Sequence, residues 1–351
     1  MKRESKLSAA LLLIIVIMLN ITGCDDRGKD RSENNTIEIP NVEQPLSGDI
    51  DDRVKNNSEN NTIEIPDVEQ PLTGDIEEIT ETSVTTSGGL EMSVNFIDVG
   101  QADAIFIDYG EYEVLIDGGN RKDGKPVYEY IKPYVDGPVE LIIATHPDAD
   151  HIGGLIDVIN MIDVDTIIYN GEKKDTQTYR DFESAAKSKQ NCEFVTAEDT
   201  TIDMGGDASI HIIPPVKIYN DVNENSIVSL LEYGDVSVLF TGDMETKSEK
   251  DLMDRFSKVD VLKAAHHGSK TSSSAQFLSI TQPDYVIISA GLNNKYKHPN
   301  LDALQRYFDI GATVYGTFKD GAITMNTDGK SYSFSAKTEV TLDDAGDRSV
   351  N

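Results

Sequence analysis

Residues 145–154 read THPDADHIGG, which places His146, Asp148, Asp150 and His151 within six positions. Imidazole and carboxylate are the side chains that hold divalent cations such as zinc and manganese. At neutral pH the two carboxylates repel each other, and a bound cation removes that cost. The chain has only six histidines, and all but His211 fall in short motifs that follow strand-like runs. Two later segments supply what a two-ion site still needs. Ser237-Val-Leu-Phe-Thr-Gly-Asp243 ends in an aspartate able to bridge two ions, and Val261-Leu-Lys-Ala-Ala-His-His-Gly-Ser269 ends in paired histidines. Together they offer enough ligands for two ions that share one carboxylate. A solvated polar loop is the blander reading of HxDxDH, and these later partners count against it.

Such a set needs strands that end together. Glu140-Leu-Ile-Ile-Ala144 suits a buried strand, and Gly153-Gly154 followed by Leu155–Asn160 suits a turn into a helix. From Glu91 onward, short alternating runs at 92–99, 104–108 and 113–117, joined by glycine-containing turns, predict a β-meander. Helical patterns follow at about 126–134, 152–161 and 176–189, with a strand at Thr166–Tyr169. The second half predicts strands at about 208–213, 226–232 and 235–241, then a helix near 245–256. A strand at 259–265, a helix near 272–280, a strand at 285–289, a helix near 301–309 and three short strands complete it. Strands alternating with helices in two similar halves predict an α/β fold of two sheets with helices outside.

The rest of the chain reads differently. Lys2, Arg3 and Lys6 precede an uncharged apolar stretch from about Leu7 to Gly23, the pattern of a secretory signal peptide over residues 1–23. It ends Ile21-Thr-Gly-Cys24, which resembles the lipobox of bacterial lipoproteins, so Cys24 is expected to carry lipid. That implies a membrane partner and a location on the extracytoplasmic face of the cell membrane. With Cys24 acylated, Cys192 has no disulfide partner. Residues 24–90 carry a 26-residue unit twice, SENNTIEIPNVEQPLSGDI from Ser32 and SENNTIEIPDVEQPLTGDI from Ser58. Between Asp25 and Leu90 stand 17 acidic and 5 basic residues, which with few aromatics predicts a disordered, self-repelling tether. The last residues, 339–351, are expected to be a disordered tail. The whole chain has a formal net charge of −31 and no Lys/Arg block of the kind that grips nucleic acid non-specifically. No segment marks a protein partner.

Residues 91–338 resemble the metallo-β-lactamase superfamily, within it the branch found in ComEC-type competence proteins and phosphorylcholine esterases. The carrying motifs are FIDVGQADA (96–104), IDGG (116–119), THPDADHIGG, Asn225-Ser226, Thr241-Gly-Asp243, HHGSKTSSS (266–274) and SAGLNNKYKHP (289–299). The resemblance implies an αββα sandwich with a two-metal site at one edge. Three positions depart from the superfamily pattern. Asp148 replaces the second histidine of HxHxDH, as in this branch. A third-motif histidine is missing, His211 reading as a strand residue. Ala102 stands where relatives carry glycine, which would be strained if that turn needs a positive φ.

By resemblance, His146, Asp148 and Asp243 hold one metal, and Asp150, His151, Asp243 and His266 hold the other, with His267 facing substrate. The ions are zinc or manganese, and a water between them is the nucleophile. Asp117 braces the site rather than binding metal. Ser269 and Ser272, in a hydroxyl-rich turn before a helix, suit an anionic substrate, or cap that helix through Ser272 or Ser273. Asn294, Tyr296 and His298 lie on a loop where the first two can bind substrate and His298 can protonate a leaving oxygen. The expectation is a tethered hydrolase of phosphoric (di)ester bonds in nucleic acid, wall polymer or a small molecule. Two alternatives stand beside it: a hydrolase of carboxylic esters, lactones or thioesters, and an idle metal-containing lipoprotein that binds wall polymer or DNA.

Overall fold

The computed structural model describes residues 90–347. The signal peptide, Cys24, the repeated tether and the last four residues lie outside the described residues.

Strands β1 (Met92–Phe96), β2 (Ile105–Tyr109) and β3 (Tyr112–Ile116) form the antiparallel meander. Strands β4 (Val139–Ala144), β5 (Val164–Tyr169) and β6 (Glu193–Thr196) follow in parallel. Their crossovers run through α1 (Gly124–Ile131), then α2 (Ala149–Ile152) and α3 (Leu155–Met161), then α4 (Gln177–Ser188). The second sheet opens with β7 (Thr200–Gly205), β8 (Ala208–Ile213), β9 (Val228–Tyr233) and β10 (Val236–Phe240), all antiparallel. It continues in parallel through β11 (Val261–Lys263), β12 (Tyr285–Ile288) and β13 (Thr313–Gly316), linked by α5 (Thr246–Asp251), α6 (Ala275–Thr281) and α7 (Leu301–Asp309). After α8 (Thr317–Asp320), strands β14 (Ile323–Thr327) and β15 (Tyr332–Phe334) return to the first sheet beside β1. The strand orders are β15-β14-β1-β2-β3-β4-β5-β6 and β13-β12-β11-β10-β9-β8-β7.

The layers follow from the two-residue period of each strand. On β4, Leu141 and Ile143 face the second sheet and pack in one core with Phe96, Val238, Phe240 and Ile287. Ile142 and Ala144 face outward beneath Val127, Val158 and Phe182 of α1, α3 and α4. A strand covered on both faces reads as an unbroken apolar run, as this one does. Outside the second sheet, Leu239, Leu262 and Val286 pack against Phe277, Leu304 and Tyr307. The result is an αββα sandwich of the metallo-β-lactamase type.

Four local expectations need correction. Strands β6 and β7 add to the expected set, because Glu193–Thr196 and Thr200–Gly205 are largely exposed and read as polar loop. The helix near 245 stops at Asp251, followed by one 3-10 turn. The cap of α6 is Ser274, whose Oγ accepts from Phe277 N at 3.2 Å, rather than Ser272 or Ser273. Residues 339–347 are ordered: Val340 and Ala345 are buried, and Val340 N donates to Val314 O on the free edge of β13. Asp347 Oδ1 accepts from Leu301 N at 2.7 Å, satisfying a donor at the start of α7 that α7 cannot satisfy itself. The acidic tail thus docks both through hydrogen bonds and by placing Val340 and Ala345 in the core outside the second sheet. Ala102 is buried and is not among the residues with positive φ, so alanine is unstrained there.

Candidate metal centre

Strand register brings the motifs together. The pair Phe240↔Lys263 sets β10 and β11 side by side, so Asp243 and His266 each emerge three residues beyond a paired position. His266 N donates to Gly242 O at 3.1 Å across that gap. The pair Ile116↔Ile143 does the same in the first sheet and sets Asp117 beside Thr145. Thr145 O accepts from Ile227 N, tying the two halves together.

The glycines of the first motif permit a close approach of backbones. Gly118 N donates to His151 O and Gly154 N to Gly119 O, both at 2.8 Å. A Cβ on Gly154 would lie 1.8 Å from Gly118 O. The IDGG and HIGG segments therefore need each other's missing side chains.

At the centre sits Asp243. Its Oδ1 lies 3.3 Å from His151 Nε2 and 3.8 Å from His267 Nε2, and its Oδ2 lies 3.9 Å from His146 Nε2. Asp150 Oδ2 is 3.7 Å from His267 Nε2. Each ring has its other nitrogen committed. His151 Nδ1 is 2.7 Å from Asp117 Oδ2, and His267 Nδ1 is 2.9 Å from Ser289 O. Thr145 Oγ1 gives its only proton to Asp117 at 2.7 Å, so it accepts from His146 Nδ1 at 3.1 Å. All three rings thus turn Nε2 inward.

The buried atoms His146 Nε2, His151 Nε2, His267 Nε2 and Asp243 Oδ1 have no hydrogen-bond partner. Buried polar groups are rarely left so, and four facing one another form a donor set that fits a divalent cation. The ligand atoms fall into groups that include His146–His151–Asp243 and Asp150–His151–His267, within 4.8 Å of one another in each.

Electrostatics agrees with that geometry. Burial opposes ionisation of Asp243, yet His151, His267 and His266 together hold its carboxyl well below the usual range. Burial likewise opposes charge on His151, but Asp243 and Asp117 hold its pKa well above the ordinary value. Burial and the neighbouring His151 push His146 down to about 4.

Of the adjacent histidines, His267 joins the ligand groups, the place expected of His266. His267 is buried in the carboxylate cluster, whereas His266 is partly exposed, with Nδ1 3.0 Å from Glu245 Oε1 and Nε2 3.6 Å from Asp243 Oδ2. Left-handed backbone at both residues (φ 49° and 56°) sends consecutive side chains to different sides. Asp148 also departs from expectation: Oδ1 pairs with Lys174, and Asp148 joins none of the ligand groups.

Two of the expected substrate contacts do not reach the cleft. Asn294 spends its side chain inside its own loop, donating to Gly291 O and His298 O and accepting from Tyr296 N and His298 N. Ser272 is fully buried beneath that surface. Ser269, Tyr296 and His298 do line a cleft of about 520 Å³ together with Asp150, Asp243 and His267.

Sequence reasoning also passed over Asp103, Lys263, Glu245, Lys174 and Gln101. Asp103 and Lys263 carried a signal, a charged residue inside or beside an apolar strand run. Gln101 stands within the FIDVGQADA motif, whereas Glu245 and Lys174 had no signal, since only folding places them at the site.

The chain belongs to the metallo-beta-lactamase superfamily, whose family model matches residues 97–291. It is 32% identical over 240 residues to Recombination protein 2 of Haemophilus influenzae, covering 66% of this chain and 28% of that protein. It is 30% identical over 262 residues to ComE operon protein 3 of Bacillus subtilis, covering 66% of this chain and 33% of that protein. The chain therefore spans no more than a third of either relative. Among solved structures, the metallo-beta-lactamase fold protein YhfI of Bacillus subtilis aligns with 68% of this chain and 100% of its own, at 13% identity and a TM-score of 0.47.

Proposed function

We propose that this chain is a metal-dependent hydrolase of phosphoric esters, tethered outside the cytoplasm by lipid on Cys24. The observation that carries the metal-dependent reading is the convergence of three imidazole Nε2 atoms and one Asp243 oxygen, all buried and without protein partners. Asp150, His151, Asp243 and His267 would hold one ion. His146 and Asp243 would hold the second, with Asp148 once it leaves Lys174. Mixed nitrogen and oxygen donors suit zinc or manganese. Divalent ions bound there would supply Lewis acidity and would lower the pKa of bound water to near neutral.

The chain's own residues favour an anionic substrate. Lys270 and Lys297 line the cleft, and the Lys295 ammonium lies 4.7 Å from the centre of the Tyr296 ring beside it. These lysines offer phosphate attraction beside the Asp148, Asp150, Asp243 and Asp347 carboxylates of the same cleft, whose charge bound cations would offset. Gln101 Oε1 accepts from Gly291 N at 3.2 Å, which leaves Nε2 to donate to His298 Nδ1 at 3.4 Å. His298 then carries its proton on Nε2. Burial, with His266 and His267 nearby, pushes its pKa down to about 4, so it serves as a neutral hydrogen-bond donor to the leaving oxygen.

Cleavage of bis(p-nitrophenyl) phosphate against p-nitrophenyl acetate, with zinc or manganese added, tests this reading. Phosphodiester turnover that vanishes in Asp243→Ala, together with all bound metal, is expected. Faster acetate turnover would favour the carboxylic-ester alternative. Bound metal without turnover of either substrate would favour the idle lipoprotein. For the tether, Cys24→Ser should abolish processing and detergent partitioning, and unchanged processing would refute it.

A further inference from the structure

Lys263 ends β11 on the face that looks between the two sheets, and its side chain is wholly buried. An ammonium there costs several kcal/mol unless it is paired. Its partner comes from the other sheet: Nζ donates to Asp103 Oδ2 at 2.8 Å, and also to Ala264 O at 3.0 Å. Asp103 is itself almost fully buried, and its backbone is fixed by bonds from its N–H to Asp150 O and from Gly119 N to its carbonyl. Its remaining oxygen, Oδ1, lies 3.3 Å from His267 Nδ1, the same nitrogen that Ser289 O engages. The Nδ1 proton goes to Ser289 O, so Oδ1, which has no hydrogen-bond partner of its own, acts on the imidazole by its charge across that distance.

We propose that Lys263 is a positioning residue of the metal centre, acting through Asp103 to fix the ring of His267 with Nε2 toward Asp150 and Asp243. This rests on the metal-binding reading above. Carboxylates behind a ligating imidazole fix its tautomer and orientation, and losing them weakens metal binding about 10–100-fold. Here the carboxylate is itself fixed by a cation bridging the sheets. A pair serving stability alone would be replaceable by apolar groups without effect on the centre.

The test compares wild type with Lys263→Met, Asp103→Asn and the double variant, measuring zinc affinity by chelator competition and melting temperature without metal. Each single variant should bind zinc about 10–100-fold more weakly. The double variant should be no weaker than the worse single one, because the two residues act in series. If burying Asp103 without its counter-ion unfolds Lys263→Met, the double variant carries the test, since it removes both charges. It should melt near wild type yet still bind weakly. Wild-type affinity in Lys263→Met or in the double variant overturns the proposal, as do single effects that multiply. Complete loss of the ion in Asp103→Asn would make Asp103 a ligand and overturn it too. A wild type that takes up no zinc would refute the metal reading itself, a result distinct from all of these.

Discussion

Asp117 Oδ2 lies 2.7 Å from His151 Nδ1, so a residue at the end of β3 decides which nitrogen of a ring 34 positions later faces Asp243. The same carboxylate takes the Thr145 hydroxyl at 2.7 Å and the Thr145 N–H at 2.9 Å. It therefore orients His151 directly and His146 through Thr145. Asp117 holds a left-handed backbone, φ 57°, unusual for a residue other than glycine.

Asp117→Ala should leave the chain folded but lower metal affinity about 10–100-fold, because two imidazoles lose their orientation together. Chelator competition measures this. An unchanged affinity would show that the rings are held by packing alone.

His267→Ala should lose an ion, since Nε2 of His267 faces Asp150 and Asp243. His266→Ala should retain metal and lose turnover, because that ring rests on Glu245 at the cleft wall. Elemental analysis beside kinetics separates the two, and the reverse pattern would restore His266 as the ligand.

Glu113, on β3, is buried, and neither of its carboxylate oxygens has a hydrogen-bond partner. Burial and the neighbouring Glu140 push its pKa up from 4.5 to about 8. The folded state thus keeps a proton that the unfolded state releases. This group's contribution is fully present below pH 4.5 and is lost as pH rises toward 8. Glu113→Gln should remove that loss, so its urea midpoint relative to wild type should climb between those limits at fixed metal loading. A difference that stays flat across the range would refute the shift.

Gly154→Ala forces a Cβ to within 1.8 Å of Gly118 O, so the IDGG and HIGG segments must separate. Overpacking of this kind costs about 1–3 kcal/mol. The urea midpoint should fall, and metal affinity with it, since both segments carry groups that build the centre. A variant with wild-type stability would mean the two loops yield easily.

The sequence by itself determined the ligand types, the strand-to-loop placement of each motif and the layered fold. Those depend on local chemistry and on period: Leu141 and Ile143 alternate with Ile142 and Ala144 whatever lies beyond them. Tertiary structure alone decided which of two adjacent histidines turns inward, because that depends on a left-handed turn and on a carbonyl at Ser289. It alone joined Lys263 to Asp103, 160 positions apart, since an ion pair across two sheets leaves no periodic trace. Asn294 and Ser272 show the converse. Both carry groups suited to binding substrate, but one is consumed by its own loop and the other is covered. A side chain's chemistry is written in its type, whereas what it faces depends on strands that meet only when the chain folds.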